Sequence, residues 1–332
     1  MRAMQSTHRT RIVRDCSWLG CVLLLVLPQL SPAADTAPAR PHITGLSHVA
    51  LYVHDVDRSR AFYKDFLGFA EPFSLNDTNG NLRLTFIKIN DRQYVELFPE
   101  KTPASDRLSH IALETDDAEA MRAYLASRGV KVPPKVPKGQ IGNLNFNITD
   151  PDGHKVEIVQ YEPDGWTVQH FGKDLPDTRI AARMSHAGII VGDVPATLKF
   201  YCDILGFQEF WRGSRDGKNL NWINIRVPDG KDYLELMLYG KPPDLAALGG
   251  AHHICLEVSD VSKVTSTFAT RHLPAGCKDV TPVRTGVNGK RQINCYDPDG
   301  TRVEVMEATT ADGKPVPPST APPPKHPPAA TP

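Results

Sequence analysis

Asp55-Val-Asp-Arg-Ser-Arg-Ala-Phe-Tyr63-Lys-Asp65-Phe-Leu-Gly68-Phe69 returns as Asp193-Val-Pro-Ala-Thr-Leu-Lys-Phe-Tyr201-Cys-Asp203-Ile-Leu-Gly206-Phe207, 138 residues further on. Asp150-Pro-Asp-Gly153 likewise returns as Asp297-Pro-Asp-Gly300. Repetition of both a helix-like stretch and a turn identifies a tandem duplication. Within the first copy Asp55 is a capping residue, Phe62 and Phe66 stand four apart on one face, and Gly68 occupies the place of a left-handed terminator. This pattern predicts a helix over 55–68.

Each half divides again, because each holds two short strands that open on a histidine: Ser47-His48-Val-Ala-Leu, Ser109-His110-Ile-Ala-Leu, Ser185-His186-Ala-Gly-Ile and His252-His253-Ile-Cys-Leu. A helical stretch follows each strand. Alternating or β-branched runs come next, such as Leu82 to Ile89 and Gln93 to Phe98, separated by Gly, Asn or Asp turns. The unit is a strand, a helix and three strands, and at about 50 to 60 residues it cannot cover its own sheet. Four units are expected, at 44–100, 107–162, 183–240 and 250–308. They imply an α+β fold of paired βαβββ units in two tandem domains, 44–162 and 183–308, with curved mixed or antiparallel sheets. A polar linker over 163–182 joins them.

The ends read differently. Arg2, Arg9, Arg11 and Arg14 precede an apolar run from Trp18 to Leu27 and a small-residue stretch ending at Ala33-Ala34, the order of a secretory signal. Residues 1–33 are therefore expected to be cleaved, giving a secreted or periplasmic protein. The run is about half the length needed to span a bilayer, so no membrane association is expected after removal. Residues 313–332, dominated by Pro, Ala, Ser and Thr, are expected to be disordered. The full chain of 332 residues balances 38 Lys and Arg against 38 Asp and Glu. Without the signal, which carries four Arg and one Asp, 34 basic residues face 37 acidic ones. Nothing in that balance calls for nucleic acid or an anionic membrane surface as partner. Of the cysteines, Cys202, Cys255, Cys277 and Cys295 lie in the second half, and their spacing leaves all three pairings, or none, open.

Every unit also ends in a strand with one carboxylate among apolar residues: Tyr94-Val-Glu96-Leu-Phe, Lys155-Val-Glu157-Ile-Val, Tyr233-Leu-Glu235-Leu-Met and Arg302-Val-Glu304-Val-Met. The separations from histidine to glutamate are 48, 47, 49 and 51 residues. Alternation puts His48 on one face with Ala50, His110 with Ala112, His186 with Gly188 and His253 with Cys255, so a small neighbour leaves room beside each imidazole. Val49, Leu51, Ile111 and Leu113 point the other way. A glutamate in such a strand is costly unless paired or bound to a metal. If paired units converge, each half offers two imidazoles and two carboxylates, a set that suits a divalent transition metal: Zn, Ni, Mn, Co or Fe(II). Arg83, Trp211 and Trp222 are further residues that could line the clefts. Which units share a site is open at this level, as is oligomeric state.

The paired βαβββ units, the Ser-His-Ile-Ala-Leu strand, the Asp-Pro-Asp-Gly turn before the last glutamate and the Phe-Tyr-x-Asp-x-Leu-Gly-Phe helix end resemble the vicinal-oxygen-chelate superfamily. The resemblance runs from Ile43 to Glu307. It implies metal ligands in the order used by bacterial glyoxalase I: His48, Glu96, His110 and Glu157, then His186, Glu235, His253 and Glu304. It also makes Glu157 and Glu304 the first choices for a catalytic base. The implied function is a metal-dependent lyase or isomerase acting on a small molecule with vicinal oxygens. The alternatives are a ferrous extradiol-type dioxygenase and a secreted small-ligand-binding protein. No Arg and Asn set for gripping glutathione is identifiable. Where the ring-cleaving relatives carry a Tyr, this chain has Asn147 and Asn294.

Overall fold

The computed structural model describes residues 38–102, 106–241 and 243–316. The expected signal (1–33) and all but the first four residues of the expected disordered tail lie outside the described residues. No helix among those described is long and apolar enough to cross a membrane.

The first unit comprises β1 (Ile43–Val53), α1 (Val56–Arg60), β2 (Ala70–Asn76), β3 (Leu82–Lys88) and β4 (Tyr94–Pro99). The second comprises β5 (Leu108–Thr115), α2 (Ala118–Ser127), β6 (Leu144–Thr149) and β7 (Lys155–Gln160). After a short helix α3 (Trp166–Gln169), the third unit repeats the first as β8 (Arg183–Val191), α4 (Val194–Leu198), β9 (Gln208–Ser214), β10 (Leu220–Arg226) and β11 (Tyr233–Leu238). Helix α5 (Leu245–Ala251) leads to the fourth: β12 (His253–Val258), α6 (Val261–Phe268), β13 (Arg284–Thr285), β14 (Lys290–Tyr296) and β15 (Arg302–Thr310). The first half forms one sheet in the order β2-β3-β4-β1-β5-β7-β6, and the second forms another in the order β13-β14-β15-β12-β8-β11-β10-β9. Consecutive units pair through their histidine strands, β1 antiparallel to β5 and β12 antiparallel to β8. Each histidine strand is parallel to the glutamate strand of its own unit, for example Ala50 beside Glu96 and Ala112 beside Glu157. The fold is thus the α+β arrangement that the four units imply.

Two expectations need correction. The helix over 55–68 is not uniformly α: Asp55 caps Val56–Arg60 by accepting from the backbone N–H groups of Asp57 and Arg58, but Ala61–Phe66 is wound as a π-helix. Its widened turn shows in the bond from Leu67 N–H to Phe62 O, 2.9 Å, and the same occurs from Leu205 to Phe200 at 3.1 Å. The extra residue turns Phe62 and Tyr63 both inward, where both are fully buried, and Gly68 then ends the element at φ 83°. The second unit has three strands instead of four. Pro133, Pro134 and Pro137 remove the backbone donors a ladder requires, leaving one isolated bridge from Lys138 to Leu144.

The repeated motifs explain how the halves join. Tyr63 of the first unit donates to Asp297 in the turn of the fourth at 3.3 Å, and Tyr201 of the third donates to Asp150 in the turn of the second at 3.0 Å. The neighbouring turn residues act likewise: Asp299 accepts from His54 N–H, and Asp152 from Gly192 N–H and Thr197 Oγ1. Phe66 stacks on Phe268 across this junction, with centroids 4.3 Å apart. One continuous apolar core, holding Val49, Leu51, Ile111 and Leu113 together with Ile189, Leu234, Ile254 and Val303, lies between the sheets and their helices. The opposite sheet faces carry the histidines and glutamates.

Candidate metal centres

Register brings the residues together. Across β1 and β5, His48 lies opposite Ala112 and Ala50 opposite His110, so each imidazole rises beside a methyl group on one face. His48 Nε2 and His110 Nε2 are 3.1 Å apart. Glu96 reaches them at 3.6 and 3.8 Å, and Glu157 lies 3.4 Å from His110. The second half repeats the cluster: His186 Nε2 is 3.1 Å from His253 Nε2, Glu304 lies 3.4 and 3.9 Å from the two rings, and Glu235 lies 3.4 Å from His253. All eight residues singled out in the sequence therefore fall into two quartets, each formed within one half. His48, Glu96 and His110, and likewise His186, His253 and Glu304, each present donor atoms within 4.8 Å of one another.

The first quartet floors a cleft of about 660 Å³ whose walls include Arg83, Tyr94, Phe98 and Lys155. Glu235 and Glu304 of the second line a cleft of about 750 Å³ together with Trp211, Trp222, Asn294 and Arg302. Arg83, Trp211 and Trp222 are thus cleft residues.

The surroundings of the first quartet fit a cation. Ser47 Oγ is 3.0 Å from His48 Nδ1 and Ser109 Oγ is 3.1 Å from His110 Nδ1, while Tyr161 Oη meets Ser47 at 2.6 Å and donates to Arg92 O at 2.8 Å. A hydroxyl accepting at Nδ1 leaves the Nε2 lone pair facing the cleft. Burial holds His48 well below the usual histidine range, with His110 adding to the effect, and pushes His110 down to about 3. Both rings are therefore neutral donors at pH 7. Burial raises Glu96 well above the carboxylate range, and the nearby Glu157 raises it further. Burial also pushes Glu157 up to about 7, against an Asn145 hydrogen bond and the charge of Lys155. Two buried carboxylates that each destabilise ionisation, beside two neutral imidazoles, form a set that a divalent ion would satisfy.

The second quartet is set differently. Burial opposes ionisation of Glu304, but a His186 hydrogen bond and the charge of Arg302 outweigh it and hold this carboxyl below its ordinary range. Burial is likewise outweighed at Glu235, which the His253 contact lowers. Gln292 also donates to Glu304. The two carboxylates first chosen as base thus differ: Glu157 can exchange a proton near neutral pH, and Glu304 stays ionised.

Several of these supporting residues were not singled out from sequence. Ser47, Ser109 and Ser185 precede the histidine in three units, so the repeat itself carried that signal. His252 interrupts it in the fourth. Asn145 and Gln292 occupy equivalent positions, as do Lys155 and Arg302, and aligning the units would have exposed both pairs. The four second-half cysteines are free thiols, three of them buried.

A family model described as Glyoxalase/Bleomycin resistance protein/Dioxygenase superfamily matches residues 45–158 and 183–305. The chain is 24% identical over 306 residues to a lactoylglutathione lyase of Schizosaccharomyces pombe, covering 79% of this chain and 96% of the relative. The structure is similar to the 2,3-dioxygenase LapB from Pseudomonas sp. KL28, with a TM-score of 0.61 and 17% identity over 85% of this chain and 99% of that one. It is equally similar to a Mn(II)-bound glyoxalase from Novosphingobium aromaticivorans, with a TM-score of 0.61 and 22% identity over 83% and 84% of the respective chains.

Proposed function

Because the chain belongs to the glyoxalase, bleomycin resistance protein and dioxygenase superfamily, we propose that it is a metal-dependent lyase or isomerase of the glyoxalase type, acting on a small molecule with vicinal oxygens. The observation that carries this reading is the buried quartet of His48, Glu96, His110 and Glu157 at the floor of an open cleft. A divalent ion held by these residues would polarise two neighbouring oxygens of the substrate as a Lewis acid. The chain's own part is proton transfer. Glu157, which lies 3.4 Å from His110, takes a proton from the carbon beside a carbonyl and returns it to the adjacent carbon as a general base. Asn145 orients that carboxylate, and Arg83 and Lys155 give the cleft a cationic wall for an anionic substrate. Phe98 and Tyr94 restrict water at the floor.

A second reading is a ferrous dioxygenase. The grouping of His186, His253 and Glu304 is a two-histidine, one-carboxylate set suited to non-haem iron, which favours it. Against it, Asn294 stands opposite Glu304 where the resemblance would want Tyr, and an amide cannot act as a phenol does in proton transfer. Turnover of α-hydroxycarbonyl compounds, thiol hemiacetals and catechols by metal-loaded protein, with and without oxygen, separates the readings. Oxygen-independent conversion lost in Glu157→Gln supports the lyase or isomerase. Catechol cleavage that requires oxygen contradicts it, and tight binding without turnover points to ligand sequestration.

We also propose export, supported by the charged, apolar and small-residue order of residues 1–34. Amino-terminal sequencing of the protein from cell fractions tests it. A cytoplasmic chain retaining Met1 contradicts it.

A further inference from the structure

The two quartets carry the same ligand types but are not equivalent at their fourth unit. His253 Nδ1 lies 2.7 Å from Arg302 Nη2 and 3.0 Å from the carbonyl oxygen of Ala251. A guanidinium only donates, so a ring nitrogen bonded to it must be the unprotonated one. The proton of the neutral ring then sits on Nε2, the atom that faces Glu235 at 3.4 Å and Glu304 at 3.9 Å. That arrangement satisfies the carboxylates with an N–H and leaves no lone pair for a metal. With Arg302 withdrawn, Nδ1–H donates to Ala251 and Nε2 becomes a ligand. The first half has no such competitor: Lys155, in the position equivalent to Arg302, is exposed, and His110 Nδ1 faces the hydroxyl of Ser109.

We propose that Arg302 and a metal ion compete for His253, so that the first half holds its ion tightly while the second holds its own weakly until an organic carboxylate in its cleft draws Arg302 away. The ligand class follows from the wall. Arg302 Nε is buried without a partner, as is Trp211 Nε1, and both residues line the same cleft as Arg215, Arg284 and Trp222. Unpaired buried donors beside two indoles suit a flat, apolar molecule bearing a carboxylate, which a guanidinium grips with two N–H groups. The second cleft is then a ligand-gated metal site, and it rests on the metal reading given above.

Metal content and affinity of the full chain decide the matter. The protein is stripped, then titrated with Zn in the presence of a competing chelator, with benzoate as the carboxylate probe. Wild type should bind one ion tightly and a second roughly ten- to a hundred-fold more weakly, the range typical of a group acting behind a ligand. Arg302→Leu should bring the second affinity near the first, and benzoate should raise second-site occupancy in wild type but not in Arg302→Leu. His253→Ala should keep one tight ion. Arg302→Lys places the first half's residue in the same strand and guards against a folding defect; it too should strengthen the second site. Two equal affinities in wild type, unchanged in both Arg302 variants, overturn the proposal. No ion bound by any form overturns the metal reading itself.

Discussion

Replacing Gly188 by alanine tests how tightly the second quartet is built. A Cβ placed on Gly188 falls 1.9 Å from Cε1 and 2.1 Å from Nδ1 of His253, whereas ordinary contact starts near 3.4 Å. The ring must therefore retreat by about 1.5 Å, the difference between those distances. Its Nε2 now lies 3.1 Å from His186 and 3.4 Å from Glu235. Metal–ligand distances tolerate only about 0.2 Å, so a displacement of that size removes His253 from any shared ion. Overpacking should cost about 1–3 kcal/mol, partly offset by about 0.4–1 kcal/mol from the lower entropy of the unfolded chain. At the equivalent position of the first half Ala50 lies opposite His110, whose Nδ1 faces Ser109 Oγ, whereas His253 Nδ1 faces Ala251 O and Arg302. Gly188→Ala should lower the urea midpoint modestly, leave one tight ion per chain and abolish the second. Unchanged uptake of two ions under metal-replete conditions would refute the packing argument.

Four other outcomes follow from the same geometry. Tyr201→Phe strips Asp150 of a buried donor at the junction between halves, and Tyr63→Phe does the same to Asp297; each should cost about 1–3 kcal/mol by urea unfolding without changing metal content. In metal-free protein, Glu157 titrates near 7 when folded and near its ordinary 4.5 when unfolded, so the folded state holds the extra proton between those values. Its contribution therefore makes the metal-free chain lose stability as pH rises from about 4.5 through 7, measurable as a falling urea midpoint. The same proton must leave before a metal binds, so first-site affinity should fall as pH drops below about 7, readable by titration calorimetry. Glu157→Gln should abolish exchange of the substrate's α-proton with deuterated solvent while keeping substrate binding, measured by NMR; exchange at the wild-type rate would remove Glu157 from the proposed role.

The fold was legible because its signals are local and repeated. His48 and Ala50, or His186 and Gly188, report their shared face through the two-residue period of a strand. The spacing to Glu96 and Glu235 survives duplication because the intervening strands set it. The π-helical turns were not legible, since Phe62 and Phe66 at a spacing of four fit an ordinary helix equally well. Pro133, Pro134 and Pro137 were available as a warning that the second unit lacks a strand. The contacts from Tyr63 to Asp297 and from Tyr201 to Asp150 join residues 234 and 51 positions apart, and no local pattern encodes them. Arg302 illustrates the same limit: it stands two residues before Glu304 in the chain, yet its effect falls on His253, brought beside it by the parallel pairing of β12 and β15.

Whether each half assembles a metal centre from its own two histidines and two glutamates is decided by elemental analysis of metal-replete protein alongside His48→Ala/His110→Ala and His186→Ala/His253→Ala double variants. The wild-type chain should hold up to two transition-metal ions, with each double variant losing only the ion of its own half. A wild-type chain that takes up none, or one double variant that loses both ions while remaining folded, would contradict that assembly.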